Sequence, residues 1–208
     1  MELDHVLIAA ADLSSAARKM EERYGLASVK GGRHAGWGTA NRIVPLGDAY
    51  LELIAVVDEG EAATSTFGRR VAAGIGSAPG RPLGWVVRTN RIDEVAQRLG
   101  LSVSAGSRPR HDGGTLRWRL AGVEEASAEP ALPFFVEWGE GTPLPGRTPA
   151  VHPAGEVRIE RVELAGDHGR VSDWLGGERL PVALAPGRSA VTAIVLAAGE
   201  RQFVVDGL

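Results

Sequence analysis

The chain of 208 residues contains no cysteine, which excludes disulfide bonds, zinc–thiolate sites and cysteine nucleophiles. No apolar run approaches the ~18 residues needed to cross a bilayer. The first residues lack the basic and apolar regions of a signal peptide. These absences predict a cytoplasmic protein without a membrane partner. The formal net charge of -3 also argues against nucleic acid as a partner, since nucleic-acid binders usually carry a basic patch.

Several catalytic motifs are absent as well. The sequence has no Walker-type loop, no G-x-S-x-G elbow and no H-E-x-x-H zinc helix. The 28 glycines and 12 prolines instead indicate many turns between short strands.

Apolar periodicity predicts strands joined by a few helices. The strands are expected at residues 3–10, 43–46, 50–56, 83–89, 116–120, 134–138, 157–164, 190–197 and 202–205. The helices are expected at residues 13–24, 93–99 and 171–175. Asp12, Ser14 and Ser15 are the N-cap candidates of the first helix, and Gly25 ends it.

The order of strand, helix and further strands recurs after roughly 80 residues, which indicates a duplication. Overlaying the two copies places Gly84 opposite His5, and Glu137 opposite Glu52 to within a residue. We therefore predict an α+β fold of two βαβββ modules and a C-terminal extension that resembles a partial third module. The predicted boundaries are 1–57 and 83–138 for the modules, 58–82 for a connecting segment, 139–156 for a linker and 157–208 for the extension.

His5 and Glu52 each interrupt an otherwise apolar strand. An ionisable side chain in such a place needs a partner, because burying an unpaired charge is costly. Side chains alternate along a strand, so the two residues converge on one surface if their strands lie close and in register. An imidazole and a carboxylate on one surface form the start of a metal site or of an acid–base pair. The plainer alternative is a buried histidine bonded to Glu52 or to the backbone.

Other polar and aromatic residues are candidates for the rim of such a site. His34, Trp37 and Asn41 follow one another in a glycine-rich stretch and are interpreted as ligand-orienting residues, although a surface-loop histidine is an equal alternative for His34. Arg117 alternates with Trp118 along a strand, so one of its faces is basic and the other apolar. Arginines cluster in this part of the chain, a pattern that fits either an anionic ligand or a solvated strand face. The cluster consists of Arg108, Arg110, Arg117 and Arg119.

Three segments resemble the glyoxalase-like branch of the vicinal oxygen chelate superfamily. They are Leu-Asp-His-Val at 3–6, Gly-Thr-Ala-Asn-Arg at 38–42 and Leu-Gly-Asp-Ala-Tyr-Leu-Glu-Leu at 46–53. The resemblance implies that two βαβββ modules form a cup, and that a homodimer is to be expected. In catalytic members a divalent metal in the cup chelates vicinal oxygens of the substrate, and its His and Glu ligands come from the first and last strands of the modules.

Carried over to this chain, the resemblance implies His5, Glu52 and Glu137 as metal ligands, with Glu52 or Glu137 as the alternative catalytic base. The fourth ligand position falls on Gly84 or Trp85, neither of which ligates a metal. The cofactor is therefore either a divalent ion such as Mn, Fe, Zn or Ni, or none.

Two functions follow from this resemblance. The first is a cup that binds a small polar or amphipathic molecule and acts as a metal-dependent lyase, isomerase or dioxygenase. The second is a metal-free protein that binds or sequesters a small molecule without turnover. The missing fourth ligand favours the second function, and so does stacking of a planar ligand on tryptophans. The tryptophans in question are Trp37, Trp85, Trp118 and Trp138.

Overall fold

The computed structural model describes residues 1–109 and 114–208. Arg110, one of the clustered arginines, lies outside the described residues. None of the helices in the described part of the chain has the length and apolar character that a membrane span requires.

The first module begins with a strand, a helix and three further strands. These are β1 (Glu2–Ala9), α1 (Leu13–Tyr24), β2 (Val29–His34), β3 (Thr39–Leu46) and β4 (Ala49–Val56). The predicted cap of α1 is confirmed, because the side chain of Asp12 accepts a hydrogen bond from the backbone N–H of Ser15 at 2.7 Å. Gly25 ends the helix at φ 68°, in the left-handed region that favours glycine.

Two helices, α2 (Glu59–Thr64) and α3 (Thr66–Ser77), occupy the segment that connects the modules. The sequence pattern predicted no secondary structure there. The second module follows the same order as the first, with one additional short helix before its last strand. It consists of β5 (Pro82–Arg88), α4 (Ile92–Leu99), β6 (Val103–Pro109), β7 (Thr115–Ala121), α5 (Val123–Ala128) and β8 (Phe134–Trp138).

The strands of both modules form one mixed sheet of eight strands in the order β2-β3-β4-β1-β5-β8-β7-β6. β1 and β5 pair antiparallel at its centre, and each pairs in parallel with the last strand of its own module, β4 or β8. The sheet curves until its edge strands, β2 and β6, approach each other. The result is a cup with a concave inner face.

The C-terminal part forms a second sheet on the convex side of the cup. A short 3-10 helix (Pro145–Arg147) precedes β9 (Arg158–Ala165), α6 (His168–Leu175), β10 (Val182–Ala185), β11 (Ala190–Ala198) and β12 (Arg201–Val205). The four strands pair in the order β10-β9-β11-β12. The main hydrophobic core joins residues of this sheet and of α6 with Trp85, Val87 and Phe135 of the eight-stranded sheet.

The predicted α+β fold of paired modules with a C-terminal extension is confirmed. β8 has the predicted bounds, and β11 and β12 form the predicted closing hairpin. The features that were not predicted include the strands β2, β6 and β10, the helices of the connecting segment and the short helix α5. β2 contains Gly31 and Gly32 and therefore lacks the apolar alternation that marks a strand.

Candidate functional site

The concave face of the cup surrounds a cavity of about 530 Å³, counted with its open mouth. One wall is polar and belongs to the first module. Its polar lining residues are His5, His34, Asn41, Tyr50 and Glu52, and Ile43 lines the cavity beside them. The opposite wall belongs to β6, β7 and β8, and within the described residues it contributes aromatic and aliphatic side chains and one charged residue, Arg108.

Asp4 and His5 are adjacent in sequence, yet both side chains contribute to the site, because β1 carries a β-bulge. In the pairing with β5, Leu3 lies opposite Val87 and His5 lies opposite Val86, which leaves Asp4 as the extra residue. An extra residue interrupts the alternation of side chains and re-aims them. Leu3 consequently packs in the convex-side core, whereas His5 faces the cavity.

Asp4, His5 and Glu52 form a buried chain of hydrogen bonds. Nδ1 of His5 lies 2.6 Å from Oδ1 of Asp4, and Nε2 of His5 lies 3.1 Å from Oε2 of Glu52. The three residues are between 1% and 5% exposed. The His5 ring also stacks on Tyr50, with 4.4 Å between ring centroids. The structure thus brings together the two ionisable residues that interrupt the apolar strands.

The charges of the hydrogen-bonded residues Asp4, His5 and Glu52 stabilise one another. Burial opposes the positive charge of His5, but its hydrogen bonds to Asp4 and Glu52 outweigh that effect and raise the pKa of His5 to about 9. Burial likewise opposes ionisation of Glu52, but its hydrogen bond to His5 and the charge of His5 lower the pKa of Glu52 to about 2. At neutral pH His5 is therefore an imidazolium and Glu52 a carboxylate. Burial, followed by the charges of Asp4 and Glu52, raises the pKa of Tyr50 well above its ordinary value.

Two more residues of the polar wall surround Glu52. Nδ2 of Asn41 donates to Oε1 of Glu52 at 2.6 Å, and Oδ1 of Asn41 accepts from the backbone N–H of Gly32 at 2.7 Å. Nε2 of His34 lies 3.8 Å from the same oxygen of Glu52, and its Nδ1 lies 3.0 Å from Oγ1 of Thr39. Burial lowers the pKa of His34 despite the nearby charge of Glu52. His34 is therefore a neutral imidazole at neutral pH.

The apolar wall is built from alternate residues of β7 and β8. They are Trp118, Leu120, Phe134, Val136 and Trp138. Trp37, from the turn between β2 and β3, and Phe67, from α3, close one side of the cavity with their ring centroids 4.5 Å apart. Trp138 connects the two walls, because its Nε1–H donates to Oδ2 of Asp4 at 2.8 Å.

The duplication relates the two walls position by position. The parallel pairs β1–β4 and β5–β8 are equivalent, and the register of each pair gives matching residues. The correspondences are His5 with Val86, Tyr50 with Phe134, and Glu52 with Val136. Each of these three side chains of the first module thus matches an apolar side chain in the second.

Glu137 does not reach the cup. It lies one residue beyond Val136, the true counterpart of Glu52, and a shift of one residue turns a side chain to the opposite face of a sheet. Its carboxylate instead accepts hydrogen bonds from Nη1 of Arg119 at 2.8 Å and from the backbone N–H of Ile92 at 3.4 Å. The structure therefore separates Glu137 from the other two residues of the predicted ligand set.

Other predicted residues divide between the two faces of the sheet. Trp118 lines the cavity, whereas Arg117 is exposed to solvent. Gly84 lies opposite Leu7 rather than at the position that corresponds to His5. Trp85 is fully buried, and its indole donates to a backbone carbonyl in the convex-side core. It therefore cannot stack on a ligand in the cup, which corrects the inclusion of this tryptophan among the stacking residues.

The residues of the cup do not fit the metal centre that the resemblance implies. Within residues 1–109 and 114–208, no group of three His, Cys, Asp or Glu side chains is arranged to hold a metal ion. Both ring nitrogens of His5 have carboxylate partners. The corresponding positions of the second module are Val86 and Val136, which have no donor atoms.

Several residues of the site were not identified from the sequence, among them Asp4, Phe67 and Arg108. Asp4 was missed because regular alternation places it on the opposite face from His5, and the sequence does not predict the β-bulge. Phe67 lies in the connecting segment, where no helix was predicted. Arg108 was noted only as one of the clustered arginines. Its guanidinium lies against Gly32, where a side chain would collide with it, and it therefore spans the two edge strands of the cup.

Comparisons with known proteins agree with this architecture. Residues 3–176 match the family described as Glyoxalase-like domain, whereas no curated protein matches the chain. A crystal structure of a hypothetical protein from Staphylococcus aureus aligns over 99% of this chain and 85% of its own, at 18% identity and a TM-score of 0.62. This likeness shows the fold and includes the C-terminal sheet.

Two smaller solved structures align over about two thirds of the chain. Methylmalonyl-CoA epimerase from Mycobacterium tuberculosis is 18% identical over 66% of this chain and 86% of its own, with a TM-score of 0.46. A variant of the Streptomyces coelicolor methylmalonyl-CoA epimerase, in complex with 2-nitronate-propionyl-CoA, is 17% identical over 69% of this chain and 98% of its own, with a TM-score of 0.48.

Proposed function

The chain belongs to the glyoxalase-like domain family of the vicinal oxygen chelate superfamily. We propose that its cup binds a small amphipathic molecule, and that it does so without a metal ion. The observation that carries the proposal is the division of the cavity into one polar and one apolar wall. A molecule with a flat apolar part and one polar group matches both walls at once.

The lining of the cavity supports a small ligand. Ligand pockets commonly combine apolar walls with a few polar groups that fix orientation. The cup has this combination of a polar and an apolar wall. Aromatic side chains such as Phe134 and Trp138 offer ring faces, and each aromatic contact adds about 0.5–1.5 kcal/mol beyond the buried area.

The hydrogen bonds of the polar wall support a metal-free site. A metal ion that used Nε2 of His5 would have to displace its contact with Glu52, which is 3.1 Å long and buried. Removing one partner from a buried ion pair is strongly unfavourable. The apolar residues of the second module supply no ligand in compensation, so the polar wall is better suited to binding an organic molecule directly.

Intrinsic tryptophan fluorescence tests this proposal, because Trp37, Trp118 and Trp138 all line the cavity. The protein would be titrated with a panel of small amphipathic compounds, once with excess EDTA and once with added Mn²⁺, Zn²⁺ or Ni²⁺. We expect saturable changes that are the same in both conditions and that shrink in the Trp118→Phe variant. Binding that requires an added metal ion would contradict the proposal.

A further inference from the structure

Glu52 presents hydrogen-bond acceptors to a ligand at the polar wall. An ionised carboxylate accepts about four hydrogen bonds and donates none. Within the described residues, Oε1 of Glu52 receives a hydrogen bond from Asn41, and Oε2 faces Nε2 of His5. Glu52 lines the cavity, so its remaining acceptor positions are available to a group that donates.

The buried trio of Asp4, His5 and Glu52 carries one negative charge in excess, because its two carboxylates share the single imidazolium of His5. Arg88 approaches Asp4 at 4.0 Å but also pairs with Glu2, outside the cup. In the described part of the chain, the ion-pair contacts of Glu52 are with histidines alone, of which His34 is neutral. A positively charged ligand group would therefore be attracted to this carboxylate.

The wall opposite Glu52 favours the same kind of group. Phe134 lines the cavity, and its ring meets that of His5 edge-on with 6.2 Å between the ring centroids. Trp118 and Trp138 continue this wall. Aromatic ring faces attract cations, so an ammonium group within about 6 Å of a ring is stabilised. The Glu52 carboxylate and the aromatic rings therefore both favour a ligand with a cationic group.

We propose that the ligand of the cup is an amine with a flat apolar body, and that Glu52 accepts hydrogen bonds from its ammonium group. This inference rests on the function proposed above, and it names the class of molecule that the site selects. Arg108 extends from β6 to the edge strand β2, and its charge reaches His34 and Tyr50 of the polar wall. If Arg108 dominated recognition instead, the cup would select a carboxylate.

Three probes of nearly equal size separate these alternatives: 2-phenylethylamine, 2-phenylethanol and 3-phenylpropionate. They share a phenyl ring and differ in a positive, neutral or negative polar end. Binding would be measured by calorimetry and by tryptophan fluorescence at pH 7. Since a hydrogen bond to a charged group contributes about 1.5–3 kcal/mol, the amine should bind at least about tenfold more tightly than the alcohol. The acid should bind most weakly.

Glu52→Gln provides the matching variant, because it keeps the shape of the side chain and removes its charge. The preference for the amine over the alcohol should fall to about onefold in this variant. Glu137→Gln is the control, since it makes the same chemical change on the opposite face of the sheet and should keep the preference. The comparison of the three probes on the unmodified protein decides the question even if Glu52→Gln does not fold.

The outcomes separate this inference from the proposed function. Equal binding of all three probes would overturn the inference and leave a metal-free binding cup. Tightest binding of 3-phenylpropionate, or an amine preference that survives in Glu52→Gln, would also overturn it. If none of the probes bound, both the inference and the proposed function would be contradicted.

Discussion

The two modules have the same order of main elements but supply opposite chemistry to the cavity between them. The first module provides His5, Tyr50 and Glu52, which are linked by hydrogen bonds and stacking. The second module places Val86, Phe134 and Val136 at the corresponding positions. The backbone therefore preserves the cup, while the side chains determine whether each half of it is polar or apolar.

This comparison shows that two modules with the same backbone arrangement need not supply the same functional side chains to the site. A metal centre built symmetrically needs ligands from both halves, and here only one half has them among the described residues. The polar half instead satisfies its own charges, because His5 lies between two carboxylates. The apolar half is free to contact the hydrocarbon part of a ligand.

Removing the His5 imidazole should show the largest difference in stability between the two modules. His5→Ala leaves two buried carboxylates without their shared cation, which should cost about 3–5 kcal/mol of unfolding free energy. Val86→Ala at the corresponding position removes only apolar contacts and should cost about 2 kcal/mol. Urea unfolding of both variants measures these values. Equal costs would mean that the ion pairs contribute no more than packing.

The pH dependence of stability sharpens the same comparison. The pKa of His5 rises from 6.5 to about 9 on folding, so its contribution is complete below pH 6.5 and is lost as the pH rises through 9. The pKa of Glu52 falls from 4.5 to about 2, so its contribution is present above pH 4.5 and is lost as the pH falls through 2. The pair should therefore stabilise the fold most between pH 4.5 and 6.5.

The measurement is the free energy of unfolding from pH 5 to pH 10, together with the ¹⁵N chemical shifts of the His5 ring. The ring should remain protonated at pH 7.5, and stability should fall by a few kcal/mol between pH 6.5 and 10. His5→Gln should weaken this dependence, because it removes the titrating group. A His5 ring that loses its proton near pH 6.5 would contradict the proposed ion pairs.

Metal-ligating side chains introduced into the second module should make the two halves of the site equivalent. The double substitution Val86→His with Val136→Glu adds an imidazole and a carboxylate at the positions that match His5 and Glu52. Four such ligands suit Zn²⁺ or Ni²⁺, so the double variant should bind roughly one metal ion per chain by mass spectrometry. A folded double variant that binds no metal would show that the correspondence of positions is wrong.

Removing the hydrogen bond between Trp138 and Asp4 should have the smallest effect on stability among these changes. Trp138→Phe keeps most of the aromatic surface but removes the donor to Asp4, and hydrogen bonds to charged groups contribute about 1.5–3 kcal/mol. Trp118→Phe on the same wall is the comparison and should cost less, because Trp118 makes no such contact with the Asp4 carboxylate. Thermal unfolding of the two variants distinguishes them, and a larger loss in Trp118→Phe would argue against the link.

The sequence predicted those parts of the molecule that depend on regular patterns. Alternation and apolar runs revealed strands such as β4 and β8, and the recurrence of elements revealed the duplication. The convergence of His5 and Glu52 followed from their unusual places in apolar strands. β2 was missed because its glycines hide the alternation.

The rest of the site depends on local irregularities and on exact register. The bulge at Asp4 arises from how β1 pairs with β5, a contact between residues about 80 positions apart. Glu137 was predicted as a ligand because the overlay of the modules was uncertain by one residue, and one residue decides the face of a strand. Phe67 reaches the cup only through the packing of α3.

The metal content of the protein tests the central claim most directly. The protein would be purified without chelator, dialysed against equimolar Mn²⁺, Zn²⁺ and Ni²⁺ and then against buffer, and measured by mass spectrometry beside Glu52→Gln. The one-sided cup predicts far less than one metal ion per chain in both proteins. About one ion per chain in the unmodified protein, lost in Glu52→Gln, would contradict the account and make the first module a metal site.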